Sequence, residues 1–119
     1  MDELAITNYI DTLSNAIWGL VEFSNMVTRN HQALREPSPM WDFKDQMRKV
    51  LEEIREYNNA VTGTQGNPEE FTRAHQIEEG FDVLFATLTS YTIINLTKEE
   101  IHQEVTTIVK KFNERNWLD

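Results

Sequence analysis

Apolar side chains recur every three or four residues through four segments of this chain, and that period most constrains its fold. The first segment spans residues 4–31, the second about 39–60 and the third about 68–91, and the fourth starts at Thr97. A period near 3.6 residues indicates amphipathic α-helices rather than strands. We therefore predict an all-α fold, a four-helix bundle in one domain that covers residues 1–119.

Three of the four predicted helices start at recognisable capping signals. The second and third each follow a capping side chain and a proline, at Ser38-Pro39 and Asn67-Pro68. The fourth starts with a capping box formed by Thr97 and Glu100. Short connections between such helices favour a bundle.

The segment 77–88 favours a buried helix that also carries charge. Its apolar stripe consists of Phe81, Leu84, Phe85 and Leu88. A helix that is apolar nearly all round is normally buried. Asp82 lies in the middle of this segment, with Glu79 one turn earlier on the same face. Because a buried carboxylate is unfavourable unless it is paired or coordinated, we expect Asp82 to have a partner.

A second pair of carboxylates has the same spacing. Glu53 and Glu56 lie one turn apart in the second segment, and the chain that follows is long enough to bring them opposite Glu79 and Asp82. Two like charges about 4 Å apart repel by about 4 kcal/mol at an effective dielectric constant of 20. A cation would be needed to hold four such groups together, and all-oxygen ligands favour Mg²⁺, with Mn²⁺ also possible.

The glutamates of the second segment have a plainer interpretation as a solvated helix face. Arg48 precedes Glu52 by four residues, and Lys49 precedes Glu53 by the same interval. Such pairs are common on exposed helices and contribute little to stability. On these residues alone, the solvated face is the favoured interpretation of Glu52–Glu56.

Composition excludes several other classes of protein. The net charge of −9 disfavours direct nucleic-acid binding. No apolar run approaches the roughly 20 residues that span a bilayer, and the acidic first residues are unlike a secretion signal, so we expect a cytoplasmic protein without a membrane partner. The chain has no cysteine, which excludes thiolate metal sites. A di-iron centre is disfavoured because Glu99-x-x-His102 is the single glutamate–histidine pair at the required spacing.

The two acidic pairs together resemble a known signature. Glu52-Glu53-x-x-Glu56, followed by Glu79-x-x-Asp82, is similar to the paired motif of the all-α nucleoside triphosphate pyrophosphohydrolases, the superfamily of MazG and the dimeric dUTPases. The resemblance extends from about Phe23 to Trp117. The closing Lys111-Phe-Asn113-Glu-Arg115 also resembles the last helix of MazG-like members. One position departs, because Ala86 stands where some members have a tyrosine, and this leaves the base preference open.

This resemblance implies a MazG-type fold and a Mg²⁺-dependent enzyme that cleaves a nucleoside triphosphate into a monophosphate and pyrophosphate. The implied metal ligands are Glu53, Glu56, Glu79 and Asp82. Glu52 or Glu53 is the implied base that orients the attacking water. The implied substrate contacts are Lys111, Asn113, Arg115 and, by stacking on the base, Trp41.

Two further expectations concern partners. Long amphipathic helices in so short a chain leave apolar surface uncovered, so we expect a homodimer or homotetramer.

The alternative to an enzyme is a non-catalytic acidic helical oligomer that acts as a protein-interaction module, with Glu52–Glu56 as its exposed face. An enzyme acting on phosphoribosyl-ATP ranks low because the basic amino-terminal signature of that group is missing. The biological role, whether nucleotide housecleaning or control of nucleotide pools, stays open.

Overall fold

Four α-helices form the regular structure of the described part of this chain. The computed structural model describes residues 1–33, 42–63 and 72–119. Its helices are α1 (Glu3–Ala33), α2 (Phe43–Thr62), α3 (Arg73–Ile93) and α4 (Lys98–Glu114), and the described ranges contain no strand. The predicted all-α class and the four helices are therefore confirmed. None of the described helices is both long enough and apolar enough to cross a membrane.

Helix α2 begins later than the sequence predicted. It starts at Phe43 behind Asp42, which has an extended backbone and accepts a hydrogen bond from the amide of Asp45 at 2.8 Å. The Asp45 carboxylate in turn accepts from the amide of Asp42, which completes a capping box. The predicted signal at Ser38-Pro39 lies outside the described residues. Asp42 is the cap because it satisfies the exposed amides of the first turn.

Helices α3 and α4 also begin at capping side chains. The hydroxyl of Thr72 caps α3, so this helix starts at Arg73 rather than near residue 68. The predicted signal at Asn67-Pro68 lies outside the described residues. The capping box of α4 is confirmed, because the side chains of Thr97 and Glu100 each accept a hydrogen bond from the other's backbone amide.

One hydrophobic core lies among α1, α3 and α4. Its buried members are Ile10, Val21, Leu88, Ile101, Val105 and Val109. The sequence pattern predicts a buried seam on α1 that consists of Ile6, Ile10, Leu13, Ile17, Leu20, Ser24 and Val27. This prediction was wrong in part, because Leu13, Leu20 and Val27 are exposed. Ser24 of that seam is buried, as predicted, and lies within 3.3 Å of the Thr92 hydroxyl of α3. Ser14, which is outside the predicted seam, is buried as well. The four-three period predicted the helix correctly, but the buried face of α1 is rotated slightly from the predicted face.

Helices α2 and α3 form a separate layer. Helix α2 contacts α3 but no other described helix, whereas α1 contacts both α3 and α4. The radius of gyration is 17.7 Å, compared with about 13.5 Å for a compact domain of this length. The described helices therefore form an open arrangement in which one side of the α2–α3 pair has no covering element.

The predicted burial of segment 77–88 is wrong for most of its stripe. Leu88 is buried in the core, but Phe81, Leu84 and Phe85 are exposed, and Phe81 is 56% exposed. The reason is the open arrangement, because α1 and α2 together cover only part of the circumference of α3. The apolar period identified a helix with surface to bury, but the other described helices leave much of that surface exposed.

Candidate metal centre

Two hydrogen bonds fix how α2 lies against α3. The Gln46 side chain at the start of α2 donates to the Ala86 carbonyl at 2.8 Å and is buried. At the other end, the Gln76 side chain donates to the Ala60 carbonyl at 3.3 Å. The start of α2 is thus tied to the end of α3 and the end of α2 to the start of α3, so the helices run antiparallel. This register places the middle of α2, at Glu53, opposite the second turn of α3.

Three carboxylates meet at the centre of this helix pair. Oxygen atoms of Glu53, Glu56 and Glu79 all lie within 4.8 Å of one another, a spacing that can hold a metal ion. Glu53 is buried, at 7% exposed, and the Glu79 side chain is only 12% exposed. Glu56 lies at the open edge of the cluster. The predicted meeting of the two acidic motifs therefore occurs for three of their four carboxylates.

Each buried carboxylate has one oxygen engaged and one without a partner. The Lys49 ammonium lies 2.8 Å from Glu53 Oε1, and His75 Nε2 lies 3.5 Å from Glu79 Oε1. The second oxygens, Glu53 Oε2 and Glu79 Oε2, are buried and accept no hydrogen bond from any described residue. Buried polar atoms are almost always satisfied, so two such oxygens in one cluster are suited to bind a cation or a hydrogen-bond donor.

The pKa values of the acidic residues indicate the same unfavourable crowding of negative charge. Partial loss of hydration, followed by the charge of Glu53, raises the pKa of the Glu56 carboxyl and of the Asp82 carboxyl, although both residues are exposed. Burial also raises the pKa of Glu79, although His75 acts against the shift. The pKa of Lys49 is raised, chiefly by its hydrogen bond to Glu53. The carboxylates are thus held in a site that disfavours their charged forms unless a cation is near.

The remaining acidic residues lie at the edge of this cluster. Asp82 is exposed and does not belong to the set of mutually close oxygens, although the field of Glu53 reaches it. Glu52 is also exposed, and its carboxylate lies 3.9 Å from Lys49 Nζ. The partner that we expected for Asp82 is therefore absent from the described ion pairs, and its role as a ligand stays a prediction.

The predicted substrate contacts lie elsewhere in the chain. Lys111 and Asn113 are in the last turn of α4, and Arg115 caps its carboxyl end. Arg115 also lies over the ring of Trp117, 5.0 Å from its centroid. Among the described helices α4 contacts α1 alone, so these residues do not reach the acidic cluster of their own chain. Trp41 lies outside the described residues.

No protein-family model, curated protein or solved structure matches this chain. The assignment of the acidic cluster therefore depends on its own geometry and on the resemblance of its motifs. Lys49 and His75 each precede a glutamate of the cluster by four residues, and this spacing is the sequence signal for the two contacts. Sequence alone gave the spacing of these pairs but could not show that their glutamates are buried.

An open groove adjoins the cluster and was not foreseen. It has a volume of about 420 Å³ and runs between α2 and α3. Its lining consists of Tyr57, Val61, Arg73, Gln76, Ile77, Gly80, Phe81 and Leu84. Tyr57 and Gly80 directly follow Glu56 and Glu79 in the sequence, but none of the three cluster carboxylates lines the groove. Volumes of 300–1,000 Å³ are typical of small-molecule pockets.

Replacement of Gly80 by alanine should stabilise the protein. A Cβ atom built at Gly80 would lie 3.4 to 3.6 Å from the ring of Tyr57, which is an ordinary packing distance. Glycine inside a helix is less favourable than alanine by about 1 kcal/mol. We therefore expect Gly80→Ala to raise the thermal midpoint by about 4 °C, measured by circular dichroism. A lower midpoint would mean that the Tyr57 ring cannot accept the added methyl group.

The metal-free protein should become more stable on mild acidification. The raised pKa values of Glu56, Glu79 and Asp82 mean that the folded state binds protons more readily than the unfolded state. Stability should therefore rise as pH falls through the raised values towards the ordinary value of 4.5 for glutamate. Asp42, whose pKa is lowered by the Asp45 amide, acts in the opposite sense but only below its ordinary value of 3.8.

Thermal unfolding in the presence of a chelator tests this dependence between pH 7 and pH 5. The Glu79→Gln variant is the control and should show a flatter profile, because it removes one of the titrating groups. A wild-type midpoint that falls steadily over this interval would contradict the expectation.

Proposed function

We propose that this chain is a divalent-metal-dependent nucleoside triphosphate pyrophosphohydrolase that uses Mg²⁺ or Mn²⁺. The observation that carries the proposal is the pair of buried, unpartnered oxygens, Glu53 Oε2 and Glu79 Oε2, in a cluster with Glu56. The resemblance of the two acidic motifs to the all-α pyrophosphohydrolases supports the reaction class.

The residues fit a hard divalent cation. The ligand atoms are carboxylate oxygens, which Mg²⁺ and Mn²⁺ prefer. Glu53, Glu56 and Glu79 would hold the ion, and Asp82 would join them from the next turn of α3. A divalent ion at this position supplies charge neutralisation for a triphosphate and activation of water. Without it, a protein with a net charge of −9 would repel so anionic a substrate.

In the proposed reaction, water attacks the α-phosphorus and the bond from that phosphorus to the bridging oxygen of the β-phosphate breaks. The products are a nucleoside monophosphate and pyrophosphate, and a carboxylate accepts the proton of the attacking water. Glu52 or Glu53 is the candidate for this base. Glu52 is the exposed member of the two, whereas one oxygen of Glu53 is already engaged by Lys49.

We also propose that the enzyme is a homodimer or a homotetramer. Five apolar residues that line the groove are each at least 40% exposed: Tyr57, Val61, Ile77, Phe81 and Leu84. Contiguous apolar surface of this kind is typical of interaction sites. A second copy would cover it, and the basic end of a neighbouring α4, with Lys111 and Arg115, could then reach the phosphates. The open arrangement supports association, because no other described helix covers one side of the α2–α3 pair.

A two-part experiment tests this function against the alternative of a non-catalytic interaction module. Release of pyrophosphate is measured across canonical and modified nucleoside triphosphates with Mg²⁺ present, and thermal unfolding is followed as Mg²⁺ or Mn²⁺ is added. The enzyme should release pyrophosphate from at least one nucleotide and gain thermal stability with the ion. An interaction module would be indifferent to both, and that result would overturn the proposal.

A further inference from the structure

The carboxylates of the candidate metal centre already have one cation against them. Lys49 Nζ lies 2.8 Å from Glu53 Oε1 and 3.9 Å from Glu52 Oε1. Glu53 is buried, but the Lys49 side chain is 43% exposed at its open edge. A lysine is positively charged at neutral pH and sits on a flexible stem. Lys49 can therefore neutralise part of the cluster and can also swing into water without any change in the backbone.

The neighbouring basic residue on α2 behaves differently. Arg48 lies 3.5 Å from Asp45 and is 69% exposed, and neither residue belongs to the acidic cluster. Pairs of that kind contribute little. Lys49 is distinguished from Arg48 by the burial of its partner, because a buried carboxylate without a counter-charge is strongly disfavoured. The position of Lys49 is therefore a property of the cluster and not of the helix surface in general.

We infer that Lys49 is the resident counter-ion of this site, and that it competes with the divalent ion and thereby sets the affinity for it. The inference rests on the metal site of the proposed function. With no ion bound, the ammonium offsets the repulsion among the carboxylates and stabilises the empty site. With an ion bound, the same positive charge repels the ion. Both effects weaken ion binding, so removal of the charge should strengthen it.

The direction of this effect separates a counter-ion from a positioning residue. If Lys49 served to hold Glu53 in the right orientation for the metal, its loss would weaken binding, commonly by tenfold or more. A competing charge predicts the opposite sign. Even with the dielectric constant of water, a unit charge and a divalent ion about one side-chain width apart repel enough to change an equilibrium constant about tenfold. Partial loss of orientation would reduce this gain without reversing it.

The test measures Mn²⁺ binding to the full chain by the electron paramagnetic resonance signal of free Mn²⁺. Lys49→Met should lower the Kd for Mn²⁺ about tenfold and should lower the thermal midpoint of the metal-free protein. Lys49→Gln is the second variant, because it removes the charge but keeps a hydrogen-bond donor. It should also tighten Mn²⁺ binding, and it tests the inference if the methionine variant does not fold. Lys49→Arg retains the charge and should bind Mn²⁺ within about threefold of the wild type.

Arg48→Met is the matched control, because it makes the same change in net charge one residue away. It should change the Kd by less than about twofold. Weaker or unchanged Mn²⁺ binding in both neutral Lys49 variants would overturn the inference while leaving the metal site itself intact. An absence of Mn²⁺ binding in the wild type and in every variant would instead overturn the proposed function, and the inference with it. Equal tightening by Arg48→Met would also overturn the inference, since net charge alone would then explain the effect.

Discussion

The Glu79→Gln variant should lose the stabilisation that Mg²⁺ or Mn²⁺ gives the wild type. The amide keeps the shape of the side chain but removes the charge from an oxygen that is buried and unpartnered. A ligand at a hundred times its Kd stabilises the folded state by about 2.7 kcal/mol. For a chain of this length, that corresponds to a rise of roughly 10 °C in the thermal midpoint. We expect this rise to vanish in the variant and pyrophosphate release to fall by at least about a hundredfold.

The same substitution should raise the midpoint of the metal-free protein. Burial and the charge of Asp82 both disfavour the ionised form of Glu79, so a neutral amide relieves repulsion in the empty site. The amide can also donate a hydrogen bond to Glu53 Oε2, which accepts none from any described residue. A residue whose role is purely structural would show the reverse pattern, with lower stability and an unchanged response to the ion.

Glu78→Gln is the matched control for this prediction. Glu78 is the preceding residue of α3, is exposed and does not belong to the carboxylate cluster. The control removes the same charge, so its response to the ion should stay close to that of the wild type. If Glu79→Gln keeps the full metal-dependent rise in midpoint, Glu79 is not a ligand.

Asp82→Asn addresses the fourth predicted ligand. Asp82 is exposed and lies outside the group of mutually close oxygens, so the metal-free geometry does not assign it. Under the proposed function it completes the ligand set from one turn beyond Glu79, and its replacement should abolish the metal-dependent rise in midpoint. An unaffected rise would restrict the site to the three glutamates.

The helices of this fold could be predicted from the sequence because their signals are local. A capping hydroxyl and a glutamate three residues later satisfy the first amides of a helix whatever surrounds them, and this is why Thr97 and Glu100 were identified correctly. The start of α2 was wrong because Asp42 and Asp45 offer a competing cap further along the chain. Which of two adjacent caps is used depends on the path of the connection, and local pattern does not contain that information.

The candidate site could be predicted only in part, because burial is not local. The spacing of Glu53, Glu56 and Glu79 predicted that their carboxylates would meet, and they do. The four-residue spacing of Lys49 and Glu53 is typical of an ordinary surface pair, whereas Glu53 is buried in the structure. The difference arises from Gln46 and Gln76, whose bonds to opposite carbonyls set the register of α2 on α3. A side-chain hydrogen bond between residues forty positions apart produces no periodic pattern in the sequence.

If the chain forms the proposed oligomer, Phe81→Asp should convert it to a monomer. Phe81 is 56% exposed and lines the apolar groove with Leu84 and Tyr57. In a symmetric assembly each copy presents the same patch, so one substitution places a carboxylate at two or more positions of the interface. An unpaired charge buried in an apolar contact is strongly unfavourable, so we expect complete dissociation at micromolar concentration. Sedimentation velocity measures the result.

Leu4→Asp is the control for this prediction, since it also replaces an exposed apolar side chain by a carboxylate. Leu4 is 72% exposed near the start of α1 and does not line the groove. This variant should sediment as the wild type does. The Phe81→Asp monomer should keep its response to Mn²⁺, because Glu53, Glu56 and Glu79 belong to one chain. It should nevertheless lose most pyrophosphate release, because the basic end of a neighbouring α4 would no longer reach the substrate. The second copy would have no part in the proposed site if the wild-type protein sediments as a monomer. The same conclusion would follow if the monomeric variant keeps full activity.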